Sequence, residues 1–254
     1  MGDVATSRPL KIYTLGRFSL VRDGAAINFS AKTKKPVELL KTLLAAGGRA
    51  VNTDQLCDHL WPAVDGDTAH NSLNVTLYRL RKLLVEQDAI LLLDKKLSLN
   101  PQVFWVDVGE FERRINGIEA QLKSANPCPV AIRADTSRLL ELCNGAFLHG
   151  EACPRIIAAR NRLQRKFLHL LEALGQHWEK HGNWAHASEF YFKGLEVDPM
   201  LESLYQRLMV CHREMGLRAE AMLIYRRCQD ALSAHLNLTP SRHTEAIRTS
   251  LTAD

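Results

Sequence analysis

A helical pattern that returns after 34 residues restricts this chain more than any other feature. Leu171, Leu174, Gly175 and Trp178, then Ala187, Tyr191 and Pro199, are answered one period later by Tyr205, Leu208, Ala221, Tyr225 and Cys228. A repeated helix pair cannot bury its apolar face alone, so successive pairs must stack into one continuous core. Small residues at 187 and 221 let paired helices approach, and the aromatic positions fill the gap between pairs. Helical periodicity as such begins near Asp107, and Pro127, Pro129, Asn144-Gly145, Gly150 and Pro154 punctuate it before the long helical run that carries the repeat.

Residues before Asp107 read differently. Segment 10–29 alternates short β-prone runs with turn residues, and Asp23-Gly24 predicts a hairpin, so three short antiparallel strands are expected. Pro36 sits near the start of a helix with the stripe Val37, Leu39, Leu40, Leu43 and Leu44, stopped by Gly47-Gly48. Asn52 or Thr53 caps a second helix that ends before Pro62, and Thr68 is the expected cap of a third, over about 69–85. At about 100° per residue, Leu73, Leu77, Leu80 and Leu84 of the third helix fall within about 60° and form a buried seam. The other side presents Asn71, Ser72, Val75, Tyr78, Arg79 and Lys82. Such a mixture suits a DNA major groove, where arginine reads guanine, asparagine reads adenine and a valine methyl meets thymine. A solvated amphipathic helix is the plainer reading of the same face. Ile90–Leu93 and Leu97–Asn100 are strands joined by Asp94-Lys95-Lys96, whose lysines suit either backbone phosphate or edge protection. Lys32, Lys34, Lys35 and Lys41 gather around the first helix, with Lys34 a candidate phosphate contact.

The order of three strands, three helices and a hairpin resembles the OmpR/PhoB-type winged-helix DNA-binding domain over residues 8–106. Asn71 to Leu84, with its Arg79-Leu80-Arg81-Lys82 ending, is similar to that family's recognition helix. The resemblance implies Arg79 and Val75 as base readers, and Asn71, Ser72, Thr76 and Lys82 as contacts to phosphate or groove walls. Residues 107–252 resemble the bacterial transcriptional activator domain, which follows a winged helix in SARP-type regulators. Gly145-Ala-Phe-Leu148, Ile157–Leu163, Leu195–Pro199 and Leu236–Ser241 carry that likeness, together with the tetratricopeptide-like (TPR-like) repeat. The expected fold is therefore an α+β N-terminal winged helix plus an all-α, TPR-like C-terminal domain, mainly α overall. Double-stranded DNA, RNA polymerase and further protomers side by side on DNA are the partners the resemblance implies, for a transcriptional regulator acting as an activator. The chain departs from the family pattern at Asn71 and Tyr78, where many relatives carry arginine. That departure motivates a competing reading as a protein-interaction adaptor whose winged helix has lost DNA affinity. A third is the output half of a longer signalling regulator.

Composition narrows the field by exclusion. Hydrophobic residues at 46% and charged residues at 24% are globular values, and a net charge of +5 is too small to announce a partner. No apolar run reaches the 18 or so residues of a membrane span, and Met1–Pro9 lacks a signal-peptide core, so a cytoplasmic protein without membrane contact is expected. The six cysteines form no Cys-x-x-Cys pair and have no zinc-finger histidines, and core thiols are expected. His177 and His181 lie one turn apart, with His169 two turns back, but no zincin glutamate stands between them. Phosphate loops, nucleophile elbows and kinase signatures are absent from the sequence, so no cofactor, no metal and no enzymatic activity are expected.

Overall fold

A computed structural model describes residues 10–252. The Met1–Pro9 stretch, including residues 8 and 9 of the expected winged-helix block, lies outside the described residues. The described chain runs β1 (Leu10–Tyr13), β2 (Ser19–Arg22), β3 (Ala25–Ala26), α1 (Lys34–Ala45), β4 (Val51–Asn52), α2 (Thr53–Leu60), α3 (Gly66–Leu84), β5 (Ile90–Leu93), β6 (Lys96–Leu99) and β7 (Phe104–Val106). Helices α4 (Asp107–Leu122), α5 (Pro129–Leu142), α6 (Pro154–Lys180), α7 (Trp184–Val197), α8 (Glu202–Glu214), α9 (Arg218–Leu236) and α10 (Arg242–Thr252) follow. Two compact units emerge. One comprises the chain up to Arg114 with Ala134–Leu163, and the other comprises Ile115–Arg133 with the chain from Gln164 onward.

In the first unit, β1 and β2 pair antiparallel and β2 turns into β3 through Asp23 (φ 49°) and Gly24 (φ 83°), the left-handed pair that a two-residue hairpin requires. Strand β7 joins the other edge of β1 in parallel, Leu10 opposite Phe104 and Ile12 opposite Val106. Asp107, directly after β7, locks this joint. Its carboxylate accepts hydrogen bonds from the Thr14 amide (2.7 Å), the Thr14 hydroxyl (2.6 Å) and the Leu15 amide (2.9 Å), all buried. Beyond β1 the chain is covered by 144–148: the Leu148 amide donates to Thr14 O (2.7 Å), the Gly16 amide donates to Ala146 O (3.1 Å), and Leu15 bridges Phe147. A Cβ at Gly16 would stand 2.7 Å from Asn144 O at a φ of 93°, so only glycine fits there.

Helices α1 to α3 wrap one apolar core in which Leu39, Leu40, Leu43, Leu56, Leu80 and Leu84 have no exposed surface. The second sheet, ordered β4-β6-β5, completes it by burying Leu97. The connector between β5 and β6 is shorter than the sequence suggests. Asp94 (φ 48°) and Lys95 (φ 55°) form a two-residue left-handed turn, and Lys96 already pairs with Leu93.

In the second unit the 34-residue period is a stack of helix pairs. Ala187 and Ala221 are fully buried, as close helix approach demands, and Tyr191, Leu204, Leu208 and Met209 fill the space around them with no exposed surface. Tyr191 donates to Glu179 (2.9 Å), which also pairs with Arg207 (3.1 Å). Glu202 ties α8 to the start of α10, accepting from the Ser241 amide (2.6 Å) and the Thr244 hydroxyl.

His177 gives this unit a pH-dependent element. Its ring lies 4.5 Å from that of His181 and 5.4 Å from Trp178, and its Nε2 is buried without a hydrogen-bond partner. Burial, then the positive charges of His181 and Lys180, hold its pKa below the ordinary 6.5. As pH falls, the unfolded chain takes up this proton first, so the stability contributed by neutral His177 is complete above about 6.5 and declines as pH drops toward the lowered folded value. Urea midpoints of the wild type should fall more steeply between pH 7 and pH 5 than those of His177→Gln, and parallel pH profiles would remove His177 as the cause.

Candidate nucleic-acid interface

Helix α3 begins earlier than the sequence suggests, because Asp65 and not Thr68 is its cap. The Asp65 carboxylate accepts from the Thr68 amide (3.1 Å), placing 66–68 in the first turn. Hydrogen bonds from Thr68 hold its carboxyl below the usual range. At the other end Val85 adopts φ 53° and closes the helix. Leu73, Leu77, Leu80 and Leu84 form the buried seam, while Arg81 turns back to donate to Ile90 O (2.7 Å) and joins α3 to the wing strand β5.

The outward face carries most of the anticipated residues. Asn71, Val75, Tyr78, Arg79 and Lys82 are exposed, Val75 at 49% and Tyr78 at 67%, and Ser72 is half-buried. Thr76 is the exception. It is 5% exposed, since at about 100° per residue it lies only about 40° from Leu80, and its side chain is directed to the core and not to a groove. Asn74, which the sequence reading passed over, is exposed and lines a hollow of about 570 Å³ with Tyr78, Lys82, Val85 and Leu92. Its position on the helical wheel, between Arg81 and Tyr78, was the available signal.

Lys95 and Lys96 are exposed at the hairpin tip, and the carbonyl of Lys95 accepts from the Thr53 amide (2.9 Å), anchoring the tip at the start of α2. The rest of the wing is more apolar than its lysines suggest, with Leu91, Leu92 and Leu93 exposed at 42%, 50% and 73%. The basic cluster around α1 divides. Lys35 donates to Leu60 O (2.8 Å) and pairs with Glu38 (3.0 Å), Lys41 pairs with Glu151 (2.5 Å), and Lys34 is exposed. Among the described residues, none of Lys34, Arg79, Lys82, Lys95 and Lys96 is in an ion pair, so all five cations are available to an anionic partner. The turn 31–33 that precedes Lys34 packs against α3, and the hollow joins α3 to β5. The cations lie on α1, α3 and the β5–β6 hairpin, and α3 packs against α1 and shares the hollow with β5.

Residues 106–252 match the family described as Bacterial transcriptional activator domain. The chain belongs to that family. Residues 30–93 of this bacterial transcriptional activator domain protein match a second family, Transcriptional regulatory protein, C terminal. The order of the two matches, an OmpR/PhoB-type winged helix followed by the activator domain, is that of SARP-type regulators, and both matched families are regulator types. The fold is also that of a solved structure titled Mycobacterium tuberculosis EmbR in complex with low affinity phosphopeptide, at 19% identity and a TM-score of 0.69. That match covers 95% of this chain and 64% of the EmbR chain, so the chain spans just under two thirds of its length. No curated protein matches. No helix among the described residues is long and apolar enough to cross a membrane.

Proposed function

We propose that this bacterial transcriptional activator domain protein is a cytoplasmic activator that lays α3 in the DNA major groove. Arg79 and Val75 face base edges, Asn71, Asn74, Tyr78 and Lys82 line the groove walls, and Lys34, Lys95 and Lys96 engage backbone phosphate. The helical-repeat unit contacts RNA polymerase or a neighbouring protomer on the same DNA. One observation supports this reading above the adaptor alternative: the exposed side of α3, the wing tip and Lys34 at the start of α1 hold cations outside any ion pair among the described residues, whereas Lys35 and Lys41 further along α1 are engaged with Glu38 and Glu151.

Selection of bound sites from random DNA, followed by gel shift on the selected site at two salt concentrations, tests it. Arg79→Ala should cost about 1–3 kcal/mol on the selected site and relax base preference at one position. Lys95→Ala and Lys96→Ala should weaken binding equally on all sequences and each lower the salt slope by about one. No retarded species at micromolar protein would favour the adaptor, and an Arg79→Ala protein that binds selected and random DNA as before would remove α3 from the groove.

A further inference from the structure

Cys153 sits apart from the other thiols. Its Sγ lies 3.1 Å from Nε2 of His59 on α2, in a cleft of about 860 Å³ that also holds Lys34, Lys41, Glu151, Ile156 and Phe29. Its carbonyl accepts from the Ile157 amide (2.9 Å), which makes Cys153 the cap of α6, and the positive end of that helix faces it. The segment before it is held firmly, with the Arg160 guanidinium donating to Phe147 O (2.7 Å), to Glu151 O (3.0 Å) and to Leu148 O.

We propose that Cys153 is a reactive thiol, with His59 as its base, and is the chain's site of modification by hydroperoxides and other small electrophiles. The thiol proton passes to Nε2 of His59. Sulfur then attacks one oxygen of hydrogen peroxide, the S–O bond forms as the O–O bond breaks, and the departing hydroxide takes the proton from His59 and leaves as water. Sulfur is oxidised by two electrons to a sulfenic acid while the peroxide is reduced, and no further reactant is needed. During attack, the anionic sulfur is next to the protonated His59 ring and the α6 terminus, the surroundings that activate a cysteine, while Lys35 and Lys41 of the same cleft are engaged with Glu38 and Glu151. The apolar wall of Phe29 and Ile156 admits a small uncharged oxidant.

Four of the other five cysteines, Cys57, Cys128, Cys211 and Cys228, lack this combination. Cys57 is also beside a histidine, with its Sγ 3.1 Å from Nδ1 of His70, whose Nε2 meets Asp54 at 2.9 Å. However, it is only 3% exposed, and burial, then the charges of Asp54 and Asp58, push its thiol up, so it keeps its proton. Burial likewise drives Cys211 and Cys228 up to about 12. Cys128 is exposed and caps α5 through its carbonyl to the Ile132 amide (3.0 Å), but it has no histidine partner among the described residues. It is the internal reference.

The full chain is treated with limiting hydrogen peroxide and a dimedone trap, and separately with limiting iodoacetamide, and each cysteine is quantified by peptide mass spectrometry. Cys153 should be labelled about tenfold faster than the more exposed Cys128, with the ratio falling toward one in urea. His59→Gln should bring Cys153 down to the Cys128 rate at an unchanged urea midpoint. A native ratio of one or less overturns the assignment, as does a folded His59→Gln protein that keeps the preference. If that variant does not fold, the native ratio of the wild type against its value in urea decides alone.

Discussion

Gly175→Ala is expected to destabilise the helical-repeat unit by about 3 kcal/mol, although alanine is the better helix former. A Cβ at this position would stand 2.3 and 2.4 Å from two ring carbons of Tyr191, distances that real contacts do not reach. The ring cannot retreat easily. Tyr191 is fully buried, and its hydroxyl is fixed to Glu179 at 2.9 Å. Burial, then that bond, pushes the phenol far above its ordinary pKa of 10, so it stays a donor at any working pH. Moving the ring therefore combines core overpacking, worth about 1–3 kcal/mol, with loss of a hydrogen bond to a charged group, and the helix gain of about 1 kcal/mol offsets only part. Gly194→Ala is the informative comparison. Its new Cβ meets Leu204 Cδ1 at 2.6 Å, the free end of a side chain that can change rotamer, and the cost should be under half as large. Urea unfolding of the two variants measures both. If Gly175→Ala is also combined with Tyr191→Ala, the double variant should lose much less than the sum of the single ones, because the clash has gone. Equal costs at 175 and 194, or additive costs at 175 and 191, would mean that Tyr191 does not set the helix spacing.

Close helix approach in the second unit was legible because a repeat restates its own requirements: the small residues at 187 and 221 and the aromatics around them stand at fixed offsets. Gly175 stood in the same pattern, but its contact with the Tyr191 ring is a tertiary detail that the spacing did not name. The seam of α3 was legible for a similar reason, since four leucines at helical spacing admit one buried side. Single residues at the edge of that pattern were less secure. Thr76 entered the candidate interface from family likeness alone, and the helical wheel already put it next to Leu80. The α3 cap expected at Thr68 falls at Asp65, also a good capping type, because its carboxylate accepts from the Thr68 amide and puts Thr68 inside the first turn. What local pattern could not supply were pairings between distant short segments. Strand β7 has three residues and no periodicity to identify β1 as its parallel neighbour. The meeting of His59 with Cys153 depends on tertiary packing in the same way. Spacing rules for cysteine and histidine, which look for sequence neighbours, pass over such a pair.

Asp107→Ala should cost the first unit about 3–5 kcal/mol, because it strips partners from buried donors and does not merely remove a side chain. Asp107 is 2% exposed and Thr14 is fully buried. Without the carboxylate, the amides of Thr14 and Leu15 and the Thr14 hydroxyl lose their acceptor, at about 1–3 kcal/mol for each group left unsatisfied. Some relief comes from water reaching the space left by the side chain, which keeps the total below three full penalties. Asp107→Asn separates charge from shape. Its one carbonyl oxygen can serve part of the set, but its amide nitrogen must face a donor, so an intermediate loss is expected. The same joint holds β1 against β7 and against the 144–148 segment through Thr14 O and Leu15, so the damage should spread along the sheet. Amide exchange can follow this directly. In Asp107→Ala, protection should fall at Lys11, Tyr13, Gly16 and Leu148 before it falls at the α3 seam, since Leu80 and Leu84 belong to a core that the carboxylate does not touch. Uniform loss of protection throughout the unit would instead make Asp107 part of a single cooperative structure with α3. In that case its substitution would abolish the proposed DNA binding by unfolding α3, where local loosening would leave α3, and the gel shift, in place.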